Sequence, residues 1–332
     1  MSLQVGSNGL MVGAWQTIMR RRFRSYALAA DGGPLKVDSY YGYDDAEVQR
    51  EFQRRTNQPA NGIVSDGDLH YLGLLPTLFS IHGTGQADPF GIGYPADIGR
   101  RCLDLYWWQP VGNWPAIPFP MDESVGQGEA ELVRLITDPV ITPGPVAFVD
   151  YSQGSIIGGR IRNRMRNGDL SHLYPNLMGN ASFGNPMRPT GSYAGVVDPT
   201  GHGIDPQLEI AVESGTCNLA AHGDLYTTCP DGDVGEFERA VFNAVFRRFF
   251  GLDTLTEQFW ELLNDPAREI PAMVQAIINA GMFFLQGTAP HTRYHVDECP
   301  GTGLTYYEYA IKHLRDLATT RLERIIAEGV PT

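Results

Sequence analysis

The chain has 332 residues, of which 42% are hydrophobic and 19% charged, a composition typical of a folded protein and not of a disordered one. Its length exceeds that of one ordinary core, so two domains, or one large domain with an appendage, are expected. The net charge of −13 argues against a nucleic-acid partner, because phosphate binding needs a concentrated basic surface.

The sequence also bears on the cellular compartment. No segment approaches the roughly 18 to 20 consecutive apolar residues that span a membrane, and residues 1–10 lack the basic-then-apolar layout of a signal peptide. We therefore expect synthesis in the cytoplasm, with no transmembrane segment and no signal peptide. The cysteines show no C-x-x-C metal spacing; Cys217 and Cys229 could close a small disulfide loop, but free thiols are the preferred interpretation.

Residues 1–73 are predicted to form a separate, small helical domain. Apolar residues recur at helical spacing over 10–22. Asp44 and Asp45 mark the start of a second helix that runs through Gln53, and residues 63–69 begin a third. The basic cluster at 20–24 is interpreted as the solvated end of the first helix. The alternative is that the whole region is only a packing extension of the domain that follows.

Three strings in this region carry a resemblance: Gly6-x-x-Gly9-x-x-Val12-x-x-Trp15-Gln16, Ala46-x5-Phe52-Gln53 and Asn61-Gly62-Ile63-Val64. With them the region resembles the three-helix peptidoglycan-binding domain of bacterial and phage wall hydrolases. The resemblance implies that peptidoglycan is its ligand. Tyr40, Tyr41 and Tyr43 either line a sugar surface or belong to the core.

From Leu74 onward, short apolar strands alternate with helices, which indicates βαβ units around a parallel sheet. Strands are expected at 77–81, 105–107, 145–149, 181–183 and 208–212. Helices are expected at 95–103, 124–136, 153–166 and 305–327. Residues 234–286 form a run of helical segments without strands, which predicts an inserted helical cap that shapes an acyl-binding cleft. The predicted fold of residues 74–332 is therefore an α/β domain with a mostly parallel sheet and a helical cap.

The string Asp150-Tyr151-Ser152-Gln153-Gly154 lies between the apolar run 145–149 and a helix. A strand, a tight turn with serine at its apex and a helix make up the nucleophile elbow of an α/β-hydrolase, normally written G-x-S-x-G. The turn exposes the serine hydroxyl, and the helix N-terminus faces a developing oxyanion. The first position departs from the pattern, because Asp150 replaces Gly and a larger, charged side chain there is expected to affect the turn.

A nucleophilic serine needs a base and a carboxylate, which in α/β-hydrolases follow it in the order Asp, His. Of the histidines after Ser152, those in helical, polar or Gly-rich contexts are set aside as candidates for the base. His222, His291 and His295 remain. His291 is preferred because it lies in a loop after the helical run and near the C-terminus. Asp224 is the preferred carboxylate because it follows the strand expected at 208–212. The competing carboxylates are Asp231, Asp233 and Asp205.

His82-Gly83-Thr84-Gly85-Gln86 ends the first strand of the α/β domain. Lipases place a His-Gly-Gly type loop there, so that one of its N–H groups joins the N–H after the nucleophile. The backbone N–H groups of Gln153 and Thr84 are therefore the expected oxyanion donors. This mechanism needs no metal ion and no organic cofactor.

Several uncommon strings occur between residue 79 and the end of the chain. They are Ile81-His82-Gly83-Thr84-Gly85-Gln86, Tyr106-Trp107-Trp108-Gln109-Pro110-Val111-Gly112-Asn113-Trp114-Pro115, Phe119-Pro120-Met121, Tyr151-Ser152-Gln153-Gly154, Gly184-Asn185-Pro186-Met187-Arg188, His222-Gly223-Asp224-Leu225-Tyr226 and Pro290-His291. With these strings the chain resembles the Lysin B family of mycobacteriophages, some members of which also carry a peptidoglycan-binding module. The resemblance implies a serine esterase that cuts the bond between mycolic acids and arabinogalactan late in phage lysis, at the host wall and outer membrane.

Carried over by motif, the family's triad falls on Ser152, Asp224 and His291, and its partners would be mycolylarabinogalactan and related mycolyl esters. The family usually has Gly where this chain has Asp150. Two other functions stay open at this point. One is a mycolyl or other acyl transferase that uses the same triad. The other is a wall-binding protein with a disabled hydrolase domain, as Asp150 would suggest.

Overall fold

The structure, a computed structural model, describes residues 2–117, 121–210, 215–242 and 289–329. Within these ranges, five parallel strands form one sheet in the order β2-β1-β3-β4-β5. The strands are β1 (Thr77–Ile81), β2 (Trp107–Pro110), β3 (Val146–Tyr151), β4 (Leu177–Phe183) and β5 (Thr216–Leu219). The central strands β1 and β3 are almost entirely buried, as expected when helices cover both faces of a parallel sheet. The predicted α/β class is confirmed.

The α-helices described in this domain are α4 (Tyr94–Arg101), α5 (Met121–Thr137), α6 (Gln153–Asn167), α7 (Asp233–Phe242), the short α8 (Ala289–Thr292) and α9 (Tyr306–Gly329). Side chains alternate along β1 between two apolar clusters. Phe79 and Ile81 join the cluster that contains residues of α5 and α6. Leu78 joins the cluster that contains residues of α4 and α9. The sheet is therefore the middle layer of three.

The predicted helical cap at 234–286 is described only at its start, where α7 is helical. The rest of that prediction, from residue 243 on, lies outside the described residues. Within the described ranges, no helix is long and apolar enough to cross a membrane. All four cysteines are buried free thiols.

The strand predicted at 208–212 is wrong over its described part, residues 208–210, which have no strand structure. These residues form a loop against α6, in which Glu209 is buried and Ile210 is exposed. Asn163 of α6 holds this loop through its amide, which donates to the carbonyl of Leu208 and accepts from the N–H of Ile210. Among the described residues, the last strand of the sheet is β5 instead, whose short Thr-Cys-Asn-Leu sequence carries little apolar signal.

Residues 2–73 contain three helices, as predicted: α1 (Leu10–Arg22), α2 (Tyr43–Arg55) and α3 (Asp66–Tyr71). A capping box starts α3, because Ser65 accepts from the N–H of Asp68 at 3.1 Å and Asp68 accepts from the N–H of Ser65 at 3.0 Å. The apolar core around Trp15 and Phe52 includes Leu322 of α9. The N-terminal helices and the C-terminal helix therefore share one core.

The shared core predicts that Leu322→Ala destabilises the N-terminal helices together with α9. Leu322 is 3% exposed, so its truncation leaves a cavity that costs about 2–5 kcal/mol. We expect a lower melting temperature in calorimetry, with no early transition separating from the main one. Leu103→Ala is the control, because that leucine is exposed and its truncation changes stability by about 0.5 kcal/mol or less. A separate N-terminal transition that Leu322→Ala leaves unmoved would contradict the shared core.

Candidate active site

Ser152 occupies a sharp turn between β3 and α6, with φ of 54° and ψ of −121°. A positive φ is unfavourable for any residue except glycine and costs on the order of 1–3 kcal/mol, so the surrounding structure must hold it. The N–H of Ser152 donates to the carbonyl of Phe183 on β4 at 2.9 Å, and its carbonyl accepts from the N–H of Ser155 at 2.9 Å. The turn thus places the serine at the carboxyl edge of the sheet, where binding sites of parallel sheets lie.

Gly154, the last glycine of the elbow string, is required by a close approach of two backbones. A Cβ at this position would overlap the carbonyl oxygens of Ile81 and His82 at the end of β1. Because glycine has no Cβ, α6 can begin directly against the first strand. This contact brings the loop after β1 next to the serine.

The structure brings the three predicted triad residues together. His291, on α8, lies with Nε2 2.8 Å from the hydroxyl of Ser152 and Nδ1 2.8 Å from Oδ2 of Asp224. Asp224 is fully buried in the turn after β5, and His291 is 5% exposed. A histidine between a serine hydroxyl and a buried carboxylate can accept the serine proton while the carboxylate orients its ring.

The competing candidates have other contacts. The Nδ1 atom of His295 pairs with the hydroxyl of Tyr94 at 3.0 Å, and Asp231 lies 3.5 Å from Nε2 of His202. Asp205 accepts from the N–H of Gln207 at 2.8 Å. Two further candidates lie at an exposed turn position and in the first turn of α7, respectively: His222 and Asp233.

The two predicted oxyanion donors, Thr84 and Gln153, lie side by side. The hydroxyl of Thr84 donates to the side-chain oxygen of Gln153 at 3.1 Å, and the amide of Gln153 donates to the carbonyl of Ile117 at 3.1 Å. Gln153 is the first residue of α6, where a backbone N–H has no acceptor within the helix. Their role in binding an oxyanion stays a prediction.

His82 lies two residues before Thr84 and makes its hydrogen bond within the loop that follows β1. It is 1% exposed, and its Nε2 lies 3.2 Å from the carbonyl of Pro89. Burial is the main cause that lowers the pKa of His82. A neutral, buried imidazole that bonds across the loop holds residues 82–89 in one conformation.

Three tyrosines complete the surroundings of His291 and were missed at the level of sequence. The ring of Tyr226 lies 4.5 Å from that of His291, and the ring of Tyr151 lies 5.1 Å from it. The hydroxyl of Tyr151 also donates to the carbonyl of His291 at 3.0 Å. Tyr294 donates to Oδ2 of Asp224 at 2.5 Å. The only sequence signals were their positions: Tyr151 directly precedes Ser152, Tyr226 is two residues after Asp224, and Tyr294 is three residues after His291.

Gly184 makes room for the histidine. It has a φ of 55°, and a Cβ at this position would overlap the imidazole of His291. Because only glycine satisfies both the backbone conformation and the contact, this position at the end of β4 is part of the site.

Asp150 does not distort the elbow, contrary to the effect expected of a charged side chain at this position. Its carboxylate pairs with Arg162 of α6 at 2.6 Å, and both side chains are completely buried. Arg162 also pairs with Glu209 at 2.7 Å, and Arg166 pairs with Glu209 at 3.0 Å. Burial alone would raise the pKa of Glu209, but the two arginines outweigh it and hold that pKa below its ordinary value. The charges of this buried cluster balance one another.

This arrangement predicts that Asp150→Asn destabilises the protein by about 3–5 kcal/mol, because it leaves part of the Arg162 charge buried and uncompensated. Asp104→Asn is the matched control. It breaks a pair with Arg315 in which both side chains are 40% exposed, and a cost of about 1 kcal/mol or less is expected. Urea unfolding of both variants measures the difference in the free energy of unfolding. Equal losses of stability would show that the buried Asp150–Arg162 pair matters no more than the exposed pair.

No protein-family profile matches the chain. The chain is 38% identical over 234 residues to Endolysin B of Mycobacterium phage L5, an alignment that covers 64% of this chain and 91% of that relative. It is 37% identical over 229 residues to Endolysin B of Mycobacterium phage D29, with coverages of 63% and 89%. The crystal structure of lysin B from Mycobacteriophage D29 matches with a TM-score of 0.54 and 30% identity, over 72% of this chain and 99% of that one. The chain therefore belongs to the endolysin B (lysin B) family of mycobacteriophages.

Proposed function

We propose that this protein is a serine esterase that hydrolyses the ester bond between mycolic acids and arabinogalactan during phage-induced lysis. Membership of the family supports a lysis-related esterase of the cell envelope. The observation that carries the proposed chemistry is the position of His291, 2.8 Å from the hydroxyl of Ser152 and 2.8 Å from the carboxylate of Asp224. Such spacing is what nucleophilic catalysis by serine requires.

The tautomer of His291 follows from its two partners. A buried carboxylate only accepts hydrogen bonds, so Nδ1 carries the proton that is donated to Asp224. Nε2 then presents its lone pair to the hydroxyl of Ser152. The imidazole is thereby set to act as a general base toward the serine.

In the proposed reaction, Nε2 of His291 takes the proton of Ser152 while the serine oxygen attacks the ester carbonyl. The N–H groups of Gln153 and Thr84 stabilise the negative oxygen of the tetrahedral intermediate. Protonated His291 donates its proton to the leaving sugar oxygen, and the acyl group stays on Ser152. Water, deprotonated by His291, then attacks this acyl-enzyme and releases the fatty acid, which restores the serine hydroxyl.

Ser152→Ala is expected to lower hydrolysis of a p-nitrophenyl ester and of purified mycolylarabinogalactan by about 10³-fold or more, since the nucleophile is lost. Ser155→Ala is the matched control. Ser155 is buried in the same helix, and its hydroxyl donates to the carbonyl of Phe183 at 3.3 Å. We expect the control to retain activity within a few-fold. Wild-type turnover by Ser152→Ala would exclude the proposed mechanism.

The same assay separates the other two functions that the sequence leaves open. With trehalose present, an esterase releases free mycolic acid, whereas a transferase forms a mycolyl sugar. A protein with a disabled hydrolase domain would bind the wall without releasing any acid. Either outcome in the wild-type protein would contradict the proposal.

We further propose that residues 1–73 attach the enzyme to peptidoglycan. Of the three tyrosines considered for a sugar surface, Tyr41 belongs to the core: it is fully buried, and its hydroxyl donates to the carbonyl of Gly62 at 3.0 Å. Tyr40 is 51% exposed and Tyr43 is 81% exposed. These two rings, adjacent to the start of α2, are available to stack on sugar rings.

The double substitution Tyr40→Ala with Tyr43→Ala, made in the Ser152→Ala background, is expected to weaken binding to purified peptidoglycan about tenfold, because aromatic side chains commonly dominate binding energy. Co-sedimentation of the full chain measures this binding. Tyr71→Ala, which removes an exposed ring from α3, is the control and should have little effect. Equal binding by the double variant and the parent would rule out these two tyrosines as the ligand surface.

A further inference from the structure

We infer that Tyr294 is a positioning residue of the triad: its phenol holds the carboxylate of Asp224 in place and limits how tightly the Asp224–His291 pair retains a proton. The inference rests on the proposed function, because it assigns Tyr294 a role in the same reaction. Tyr294 acts through Asp224 and does not contact the reacting atoms itself.

The first observation is the set of donors around the carboxylate. Oδ2 of Asp224 accepts from the phenol of Tyr294 at 2.5 Å and from Nδ1 of His291 at 2.8 Å. Oδ1 accepts from the N–H of Tyr226 at 3.0 Å. Tyr294 and His291 therefore share one oxygen. A hydrogen bond to an ionised group is stronger than one between neutral groups, so the Tyr294 contact has a large effect on the charge of that oxygen.

The phenol can donate in only one direction. The N–H of Ala221 approaches the hydroxyl oxygen of Tyr294 at 3.4 Å, which leaves the phenol proton to point at Asp224. Burial is the main cause that raises the pKa of Tyr294 well above its ordinary value, and the charge of Asp224 adds to it. The phenol therefore stays protonated, and a donor, throughout the pH range of an esterase assay.

The charged and titratable groups that face Tyr294 come from several elements. They are Asp224, His291 on α8, Tyr151 at the end of β3, Tyr94 on α4, Tyr306 on α9 and Arg188. The guanidinium of Arg188 donates to backbone carbonyls, including that of Thr227 at 2.7 Å, so it acts on this region only as a distant positive charge.

Loss of the phenol changes the pair in a predictable direction. With one donor fewer, the negative charge on Oδ2 is less dispersed, and a buried oxygen with an unmet hydrogen bond is costly. The carboxylate of Asp224 then interacts more strongly with the protonated imidazole of His291, so a higher pH is needed to free the base. The carboxylate is also free to rotate, which misorients the imidazole. Binding of the ester is expected to be unaffected, because neither the phenol of Tyr294 nor the carboxylate of Asp224 lies among the groups that contact it in the proposed reaction.

Tyr306 provides a matched control. It is buried, its ring lies 5.4 Å from that of Tyr294, and its hydroxyl donates to the carbonyl of Ala220 at 3.0 Å. Tyr294→Phe and Tyr306→Phe therefore each remove one buried hydroxyl from the same region. Only Tyr294→Phe removes a hydrogen bond to the carboxylate of Asp224, so a merely structural effect would be common to both variants.

The experiment measures kcat, KM and the pH dependence of kcat/KM for the wild type and both variants. Rates are expressed per active site, titrated with a fluorophosphonate, so that any unfolded fraction does not count. For Tyr294→Phe we expect a fall in kcat of about tenfold at neutral pH, an unchanged KM, and an acid limb moved to higher pH by about one unit. Tyr306→Phe should keep the wild-type acid limb and kcat. Coincident profiles for the two variants would overturn the inference.

Failure of the inference is distinguishable from failure of the proposed function. If Ser152→Ala retains activity, the triad itself is wrong; if it is inactive while the two tyrosine variants behave alike, only the role of Tyr294 is wrong. A second measurement does not depend on the folding of Tyr294→Phe. The wild type should show a low-field proton NMR signal from the phenol of Tyr294 that Asp224→Asn removes, and absence of that signal would also overturn the inference.

Discussion

The strained backbone of Ser152 is the constraint on which the rest of the site depends. A residue with φ of 54° keeps this conformation only where several contacts with its neighbours hold it. Here β4 supplies a carbonyl to the N–H of Ser152, and the backbone of Gly154 lies against the end of β1. Behind the turn, Asp150 on β3 is tied to Arg162 on α6 by a completely buried ion pair. Strand β3 and helix α6, which flank Ser152, are thus held in place by contacts before and after the turn.

Two sets of buried charges near Ser152 have different consequences. Around Arg162, two acidic side chains meet two arginines, so the charges balance and the cluster joins β3, α6 and the loop at 205–210. Asp224 has no such cation in contact among the described residues and is held by hydrogen bonds from His291, Tyr294 and a backbone N–H. These donors hold the carboxylate against His291, where its negative charge stabilises the proton that forms on the histidine during catalysis.

The strand, turn and helix around Ser152 are predictable from sequence because they depend on local pattern: a buried apolar run, small residues at the turn and an amphipathic helix. The meeting of Ser152 and Asp224 is predictable from topology, because segments that follow parallel strands gather at one edge of the sheet. The strand prediction at 208–212 fails over residues 208–210, because the residue buried there is Glu209, which pairs with Arg162, a distant contact that the apolar neighbours do not reveal. The partners of Asp150 and Asp224 depend on contacts across 12 and 70 residues of chain, which no local pattern encodes.

Helix α9 contacts both the catalytic region and the N-terminal helices. Near its start, Tyr306 holds the carbonyl of Ala220, in the loop that leads to Asp224. Near its end, Leu322 belongs to the core of the N-terminal helices. The helix rises about 24 Å from Tyr306 to Leu322 at 1.5 Å per residue, and it is buried along one face over this whole length. If residues 1–73 bind peptidoglycan as proposed, attachment at that end sets the orientation of the serine relative to the wall, because no flexible linker separates the two.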